Sequence, residues 1–283
     1  MVRLTVLDDA QRERLGRLLA DIETADGISP LNESGQLIVD GKRQGVVLLA
    51  DHGFALLDRR EGTAMLGVHP DHRRKGIGTE LLREALRLEP ASHVWAFGTR
   101  PGAAQLCAAQ GLAPQRELLK MARALDPTLS PVPAATGYQI GGYREEDAEA
   151  VVEINRIAFA HHPEQGLLTV DEFRQLTEQP WFSAPGLLIA RRDGEAAGFH
   201  WTKHHGEGVG EVYVLAVHPD HGGSGLGRAL LEAGLAHLAR EGDHTVELYV
   251  EADQPRVVEI YRKAGFDIAR VDTSFAQPLK EAP

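Results

Sequence analysis

Two glycine-rich runs carry the first chemistry in this chain. Gly222-Gly223-Ser224-Gly225-Leu226-Gly227-Arg228 follows Val217-His218-Pro219-Asp220-His221, and Arg73-Arg74-Lys75-Gly76-Ile77-Gly78 follows Val68-His69-Pro70-Asp71-His72. Before each run the residues have strand character, and after each the leucines and alanines recur at helical spacing. A glycine loop between strand and helix turns several backbone N–H groups outward at the positive end of the helix dipole, which favours a phosphate or pyrophosphate. Val68 and Val217, Gly76 and Gly225, and Gly78 and Gly227 are each 149 positions apart, so the chain contains two copies of one unit.

The Arg-x-x-Gly-x-Gly pattern that starts at Arg73, placed after a Val-x-Pro strand end, resembles the acyl-CoA pyrophosphate loop of the GNAT acetyltransferases. The resemblance covers nearly all of both halves. In the second half, His162-Pro163-Glu164-Gln165-Gly166, Gly198-Phe199-His200-Trp201-Thr202-Lys203, Gly210-Glu211-Val212-Tyr213-Val214-Leu215 and Leu248-Tyr249-Val250-Glu251 are similar to the mycothiol synthase (mycothiol acetyltransferase) family. It implies an α/β fold with a mixed sheet in each of two tandem GNAT acyl-CoA N-acyltransferase domains. It also implies acetyl transfer from acetyl-CoA to the cysteine α-amine of cysteinyl-glucosaminyl-inositol.

Carried over position by position, the resemblance places acetyl-CoA against Leu215, Ala216 and Val217, the run from Gly222 to Arg228, and Gln254 and Arg256. In the first half the matching positions are Leu66, Gly67 and Val68 and the run from Arg73 to Gly78. Glu211 lies six residues before Val217, roughly 20 Å along an extended strand, too far to reach the pyrophosphate. With acyl-CoA lying along the strand, Glu211 sits by the thioester. A free α-amine titrates at about 8, so a carboxylate acting directly or through water need remove only one proton. Tyr261-Arg262-Lys263-Ala264-Gly265-Phe266 resembles the GNAT segment whose tyrosine protonates the leaving thiolate; the alternative is a helix tyrosine packed on the sheet. The resemblance assigns acceptor contacts to Glu33, Glu164, Lys203, Glu211 and Tyr249. Glu33 also reads as a solvated loop acid, and Lys203 as a surface lysine. In the second loop Gly222 stands where a basic or amide side chain is usual, which leaves Arg228 as the nearest cation.

The elements that must position these residues are legible in order. Asp8 or Asp9 can cap a helix whose Leu15, Leu18, Leu19 and Ile22 share a face, and Gly27 ends it. Residues 26–33 are a turn-rich loop. Asp51-His52-Gly53 and Asp193-Gly194 are hairpin turns, and residues 63–68 and 211–217 are the strands that enter the two loops, expected to splay from their neighbours. A helix at 103–110 and strands at 93–97 and 118–125 complete the first unit. Residues 138–143 and 145–159 repeat the opening strand and helix, and Pro255 and Gly265 bracket a helix carrying Tyr261. Three prolines in 126–133 mark a linker, placed at 126–136, between domains at 1–130 and 137–283.

Composition narrows the classes. The 283 residues suit two ordinary domains, and 43% hydrophobic with 25% charged residues contain no membrane-spanning run or leader pattern, so a cytoplasmic, monomeric protein is expected. The formal charge of −11 disfavours nucleic acid and anionic membranes but can welcome a cationic amine. Cys107 is the single cysteine, and of the thirteen histidines the recurring pairs His69/His72 and His218/His221 read as turn packing, so no metal is expected.

The first half is expected to perform no chemistry, as a domain that binds or once bound acetyl-CoA. Shifting Glu211 by the repeat lands on Gly62, with Glu61 on the opposite strand face, and aligning the helix ends puts Cys107 where Tyr261 stands. Two other functions compete: N-acetylation of another small amine or aminosugar, antibiotics included, and a non-catalytic module that senses acetyl-CoA.

Overall fold

The computed structural model describes residues 1–130, 136–160, 166 and 168–278. The chain forms two compact units. The first comprises Met1–Leu119, Glu251–Pro255 and the described part of Arg270–Pro283; the second comprises Lys120–Val250 and Arg256–Ala269.

In the first unit β1 (Val2–Leu4) leads into α1 (Asp9–Asp26) and α2 (Glu33–Val39). Asp8 caps α1 in a reciprocal capping box with Gln11, and Gly27 closes it in the left-handed conformation. Asn32 caps α2, a helix inside a stretch whose short polar and glycine-rich pattern gave no periodic signal. β2 (Val46–Ala50), β3 (Gly53–Asp58) and β4 (Thr63–Val68) form an antiparallel meander. α3 (Ile77–Leu88) then carries the chain to β5 (His93–Ala96), parallel to β4. α4 (Pro101–Ala109) and β6 (Ala113–Ala124) follow.

The alternation of β2 separates two cores. Val47 and Leu49 pack with Leu15, Ile22 and Ile38 of α1 and α2, whereas Val46 and Leu48 pack with Leu81, Leu82 and Ala85 of α3.

The second unit repeats the plan with β7 (Gln139–Gly142), α5 (Ala148–Ala158), α6 (Val170–Thr177), β8 (Leu187–Arg192), β9 (Glu195–Gly206), β10 (Val209–Val217), α7 (Leu226–Arg240), β11 (Thr245–Glu251), α8 (Pro255–Lys263) and β12 (Asp267–Ala276). β7 to β10 are antiparallel neighbours and β10 pairs with β11 in parallel. The compact units do not follow chain order, since Lys120–Val250 belongs to the second while Glu251–Pro255 returns to the first. The end of β12 pairs antiparallel with β5, Thr273 opposite Ala96, and so completes the first unit. Residues 131–135 of the expected linker lie outside the described residues.

One face of the second sheet, through Leu187, Ile189, Phe199 and Trp201, packs on Val151, Ile154 and Phe173 of α5 and α6. The other face meets α7. There Gly234 allows close approach, because a Cβ at that position would stand 2.0 Å from His200 Nδ1. The same imidazole nitrogen lies 2.8 Å from the Leu230 carbonyl oxygen, and as Nδ1–H it donates to that oxygen.

These contacts set two expectations for stability. Gly234→Ala should cost about 2 kcal/mol or more by overpacking, whereas Gly16→Ala, where a Cβ meets nothing within 4 Å in α1, should be neutral or stabilising by up to about 1 kcal/mol. Urea titration of the two variants checks the contrast. Burial holds His200 neutral, with its pKa lowered to about 4. The unfolded chain therefore binds more protons between that value and about 6.5, and the stability is complete above this window and lost as pH falls through it. A loss of about 3 kcal/mol from this one group is expected, read as a falling denaturant midpoint between pH 7 and 4.

Candidate active site

Each glycine loop begins from the same short turn. The His69 imidazole accepts from the Asp71 amide, and His218 accepts from Asp220, both at 3.3 Å. The chain then passes into α3 or α7 through a glycine in the left-handed conformation, Gly76 (φ 87°) or Gly225 (φ 81°). A Cβ at either would meet nothing within 4 Å. Glycine is therefore required by the backbone, and the space ahead of the helix N–H groups is open, which fits a pyrophosphate. Arg74 (φ 62°) takes the left-handed position that Gly223 (φ 71°) takes in the second loop.

The cations of the two loops are differently engaged. Arg73 makes a bidentate pair with Asp26 at 2.8 and 2.9 Å and donates to the Val68 carbonyl, while Arg100 reaches the same carboxylate at 3.0 Å. Lys75 donates to the Asp71 carbonyl at 2.9 Å. Beyond Gly222, Arg228 is exposed on the first turn of α7, 3.9 Å from Glu232. The first loop is richer in positive charge, as its sequence says, but Asp26 offsets part of it.

Beside each loop two parallel strands pair briefly and then part. β4 and β5 are paired at Thr63–His93 and Ala64–Val94, and β10 and β11 at Val209–Thr245, Gly210–Val246 and Glu211–Glu247. Past those points Leu66, Gly67 and Val68, and likewise Leu215, Ala216 and Val217, have one edge of backbone amides and carbonyls turned away from their antiparallel partners. Such an edge can pair with the amides of an extended ligand. In the first unit this parting opens a cavity of about 890 Å³ lined by both sides of the loop, including Leu66, Arg73, Gly76, Trp95 and Cys107.

Glu211 is the last paired residue of β10 before the strands part. Lys203 of β9 and Glu247 of β11 are its direct register partners, so the three side chains leave the same face of the sheet. Glu211 and Lys203 are both buried. The Lys203 ammonium lies over the Trp181 and Tyr213 rings at 4.6 and 5.1 Å, which suits a desolvated cation. Tyr249, two residues beyond Glu247, shares that face and is 40% exposed, with the Lys120 ammonium 5.9 Å from its ring centroid. Lys120 also pairs with Glu247. Lys203 is thus no surface lysine.

The remaining expected positions are placed less closely. Tyr261 stands on α8 with its ring 5.8 Å from Phe266, and burial pushes the phenol up to about 12. Gln254 and Arg256 are exposed at the start of α8, and Glu33 is exposed in the first turn of α2. Glu164 lies outside the described residues. In the first unit Glu61 is engaged by Ser34 at 3.0 Å and by Arg43 at 3.0 Å. Among the described residues no cluster of His, Cys, Asp and Glu is arranged to hold a metal ion, and no helix is long and apolar enough to cross a membrane.

His205 was not singled out from the sequence. Its Nε2 lies 2.5 Å from Glu211 Oε2. A turn at Gly206-Glu207-Gly208 folds β9 back on β10, and the register slips between Val209 and Gly210. The hairpin was the available signal; the hydrogen bond from His205 to Glu211, beside a register slip at Val209 and Gly210, is a detail no residue type announces.

The profile described as the acetyltransferase (GNAT) family matches residues 149–266, and that of the acetyltransferase (GNAT) domain matches residues 33–111. A mycothiol acetyltransferase of Propionibacterium freudenreichii is 40% identical, over the whole of this chain and 92% of that protein. One from Catenulispora acidiphila is 42% identical over 89% of this chain and 91% of its own. The chain belongs to the mycothiol acetyltransferase family. It is an acetyltransferase with two tandem GNAT domains, and enzymes of that superfamily take the acetyl group from acetyl-CoA. Solved folds agree. A GCN5-related N-acetyltransferase from Sphaerobacter thermophilus superposes with TM-score 0.75 at 22% identity, covering 97% of this chain and 94% of that one. A tandem GNAT protein from the clavulanic acid biosynthesis pathway superposes with TM-score 0.72 at 20% identity, covering 97% and 96%.

Burial pushes the Cys107 thiol up to about 11. The folded protein at pH 8 should therefore react slowly with a thiol-exchange reagent, and one equivalent should be released at once on denaturation. Rapid reaction of the native protein would place Cys107 in an open, activated setting.

Proposed function

We propose that this acetyltransferase transfers the acetyl group of acetyl-CoA to the cysteine α-amine of cysteinyl-glucosaminyl-inositol in the second unit. The observation that carries this reading is the buried Glu211, the last paired residue before β10 and β11 part, beside Lys203 on the same sheet face. The edge of Leu215, Ala216 and Val217 would align the donor's pantetheine arm, and the loop from Gly222 to Arg228 would hold its pyrophosphate through backbone N–H groups. The curated relatives named mycothiol acetyltransferase support the choice of acceptor.

In this mechanism Glu211 accepts a proton from the acceptor ammonium, directly or through one water. The freed amine forms the C–N bond to the acetyl carbon, and the C–S bond breaks. Tyr261 donates its phenolic hydrogen toward the departing sulfur, while the nitrogen sheds its second proton to solvent as the amide forms, and the phenol is reprotonated from solvent. A phenol raised to about 12 stays protonated throughout the working range. Lys203 and Tyr249 contact the acceptor, with Glu164 as a further acceptor contact, and Arg256 contacts acetyl-CoA.

The first unit binds acetyl-CoA at Leu66 to Val68 and Arg73 to Gly78 and performs no chemistry. Its cavity has the loop, but Gly62 and Cys107 occupy the places of the base and acid, and Glu61 is tied to Ser34 and Arg43.

The test is thiol release from acetyl-CoA with cysteinyl-glucosaminyl-inositol, compared with glucosamine and aminoglycosides as acceptors. Turnover should be highest with the first. Glu211→Gln should lower kcat by roughly 100-fold or more, and Lys203→Ala should raise KM for the acceptor more than for acetyl-CoA. Equal turnover of all amines, or full activity of Glu211→Gln across pH, would overturn the reading. Gly225→Glu should abolish turnover while Gly76→Glu leaves much of it; the reverse would move the chemistry to the first unit.

A further inference from the structure

His205 has no part in the mechanism above, yet its Nε2 stands 2.5 Å from Oε2 of the proposed base. Strand alternation puts it on the Lys203 face of β9, two residues from the register partner of Glu211, and it is the residue left unpaired at the slip between Val209 and Gly210. The Glu211 side chain is only 11% exposed and that of His205 is 36% exposed. The carboxylate is therefore largely enclosed, and the imidazole that meets it is the more exposed of the two. We propose that His205 is a positioning residue for Glu211, fixing one carboxylate oxygen so that the other meets the acceptor amine, and setting by its own charge the pH at which Glu211 becomes an effective base. The proposal rests on Glu211 being that base.

The charged groups around His205 are few. Glu211 faces it from β10, Lys203 from its own strand and Glu247 from β11, the last paired with Lys120 of β6. On the opposite face His204 lies 3.0 Å from the buried Asp243. The hydrogen bond to Glu211 is the largest influence on His205 and raises its pKa, with burial and Lys203 opposing. The imidazolium thus persists above the usual histidine range. While it does, its positive charge stands beside the carboxylate that must take up the acceptor's proton and opposes the approach of a second positive charge. Loss of the His205 proton removes that opposition, so turnover should rise with pH through the His205 titration.

The test uses kcat with both substrates saturating, so that the ionisation of free acceptor does not enter. His205→Gln keeps an amide N–H for Glu211 but cannot titrate, and its acid limb should lie about one pH unit or more below that of the wild type, with KM for acetyl-CoA unchanged. His205→Ala removes the donor and should lower kcat about tenfold. An NMR titration of the His205 ring, read without substrates, should show its pKa falling in Glu211→Gln. If both His205 variants keep the wild-type kcat and acid limb while Glu211→Gln is inactive, the positioning role is wrong and the base assignment stands. An active Glu211→Gln removes the base assignment and this proposal with it. An unchanged His205 titration in Glu211→Gln shows that the pair does not form and overturns the proposal alone.

Discussion

The brief parallel pairing of β10 with β11 is the constraint on which the site depends. Three residue pairs hold the strands together, ending at Glu211 and Glu247, and beyond them the backbone edge of β10 is left for another hydrogen-bonding chain. Such an edge can pair with an extended amide-bearing arm. The same parting fixes where chemistry can occur, because only a residue near its apex is both held in a sheet and open to what lies in the gap. Glu211 has that place. Its side chain is positioned by register on both sides, with Lys203 and Glu247 as neighbours, rather than by a loop.

Duplication preserved this scaffold and let the side chains diverge. Both units keep the His-Pro-Asp-His turn, the left-handed glycine before the helix and the short parallel pairing. These features follow from backbone geometry, which tolerates little change once a loop must turn its amides outward. The carboxylate does not follow from it. In the first unit Gly62 stands just before β4, and neighbouring Glu61 is held by Ser34 and Arg43 in a structural network. Arg73 and Arg100 converge on Asp26, so the charge that looks available for phosphate is partly spent within the protein.

Much of the fold could be read from residue types because its signals are local. The Asp8 cap and Gly27 stop of α1, the turns at Asp51 and Asp193, and the Pro255 to Gly265 bracket of α8 each state a backbone preference within a few residues. The short α2 and α6 were not read, since seven or eight residues give no clear period, although Asn32 and Thr169 cap them. The pairing of β12 with β5 was also invisible: a strand's pattern says which face is buried and nothing about which edge it joins. For the site, the position of Glu211 on β10 was legible, but its engagement by His205 rests on the pairing of β9 with β10, which residue types do not state.

The electrostatics of the second unit explain how an acidic chain can serve an anionic donor. A formal charge of −11 opposes coenzyme A at long range, but salt screens that field within about 10 Å. Close in, what matters is orientation. The N–H groups at the start of α7 are fixed partial charges and need no counterion to remain in place, whereas a surface cation such as Arg228 must be ordered when it binds. Replacing a basic side chain with Gly222 therefore costs the loop an adjustable contact but leaves its backbone donors intact. Lys203 differs from such a surface cation. It is buried against aromatic rings, its stem is already fixed, and its ammonium has little water left to lose. The loop with its left-handed glycine thus recurs in both units, while the pairing of Lys203 with Glu211 on one sheet face belongs to the second, Gly62 standing at the position of Glu211 in the first.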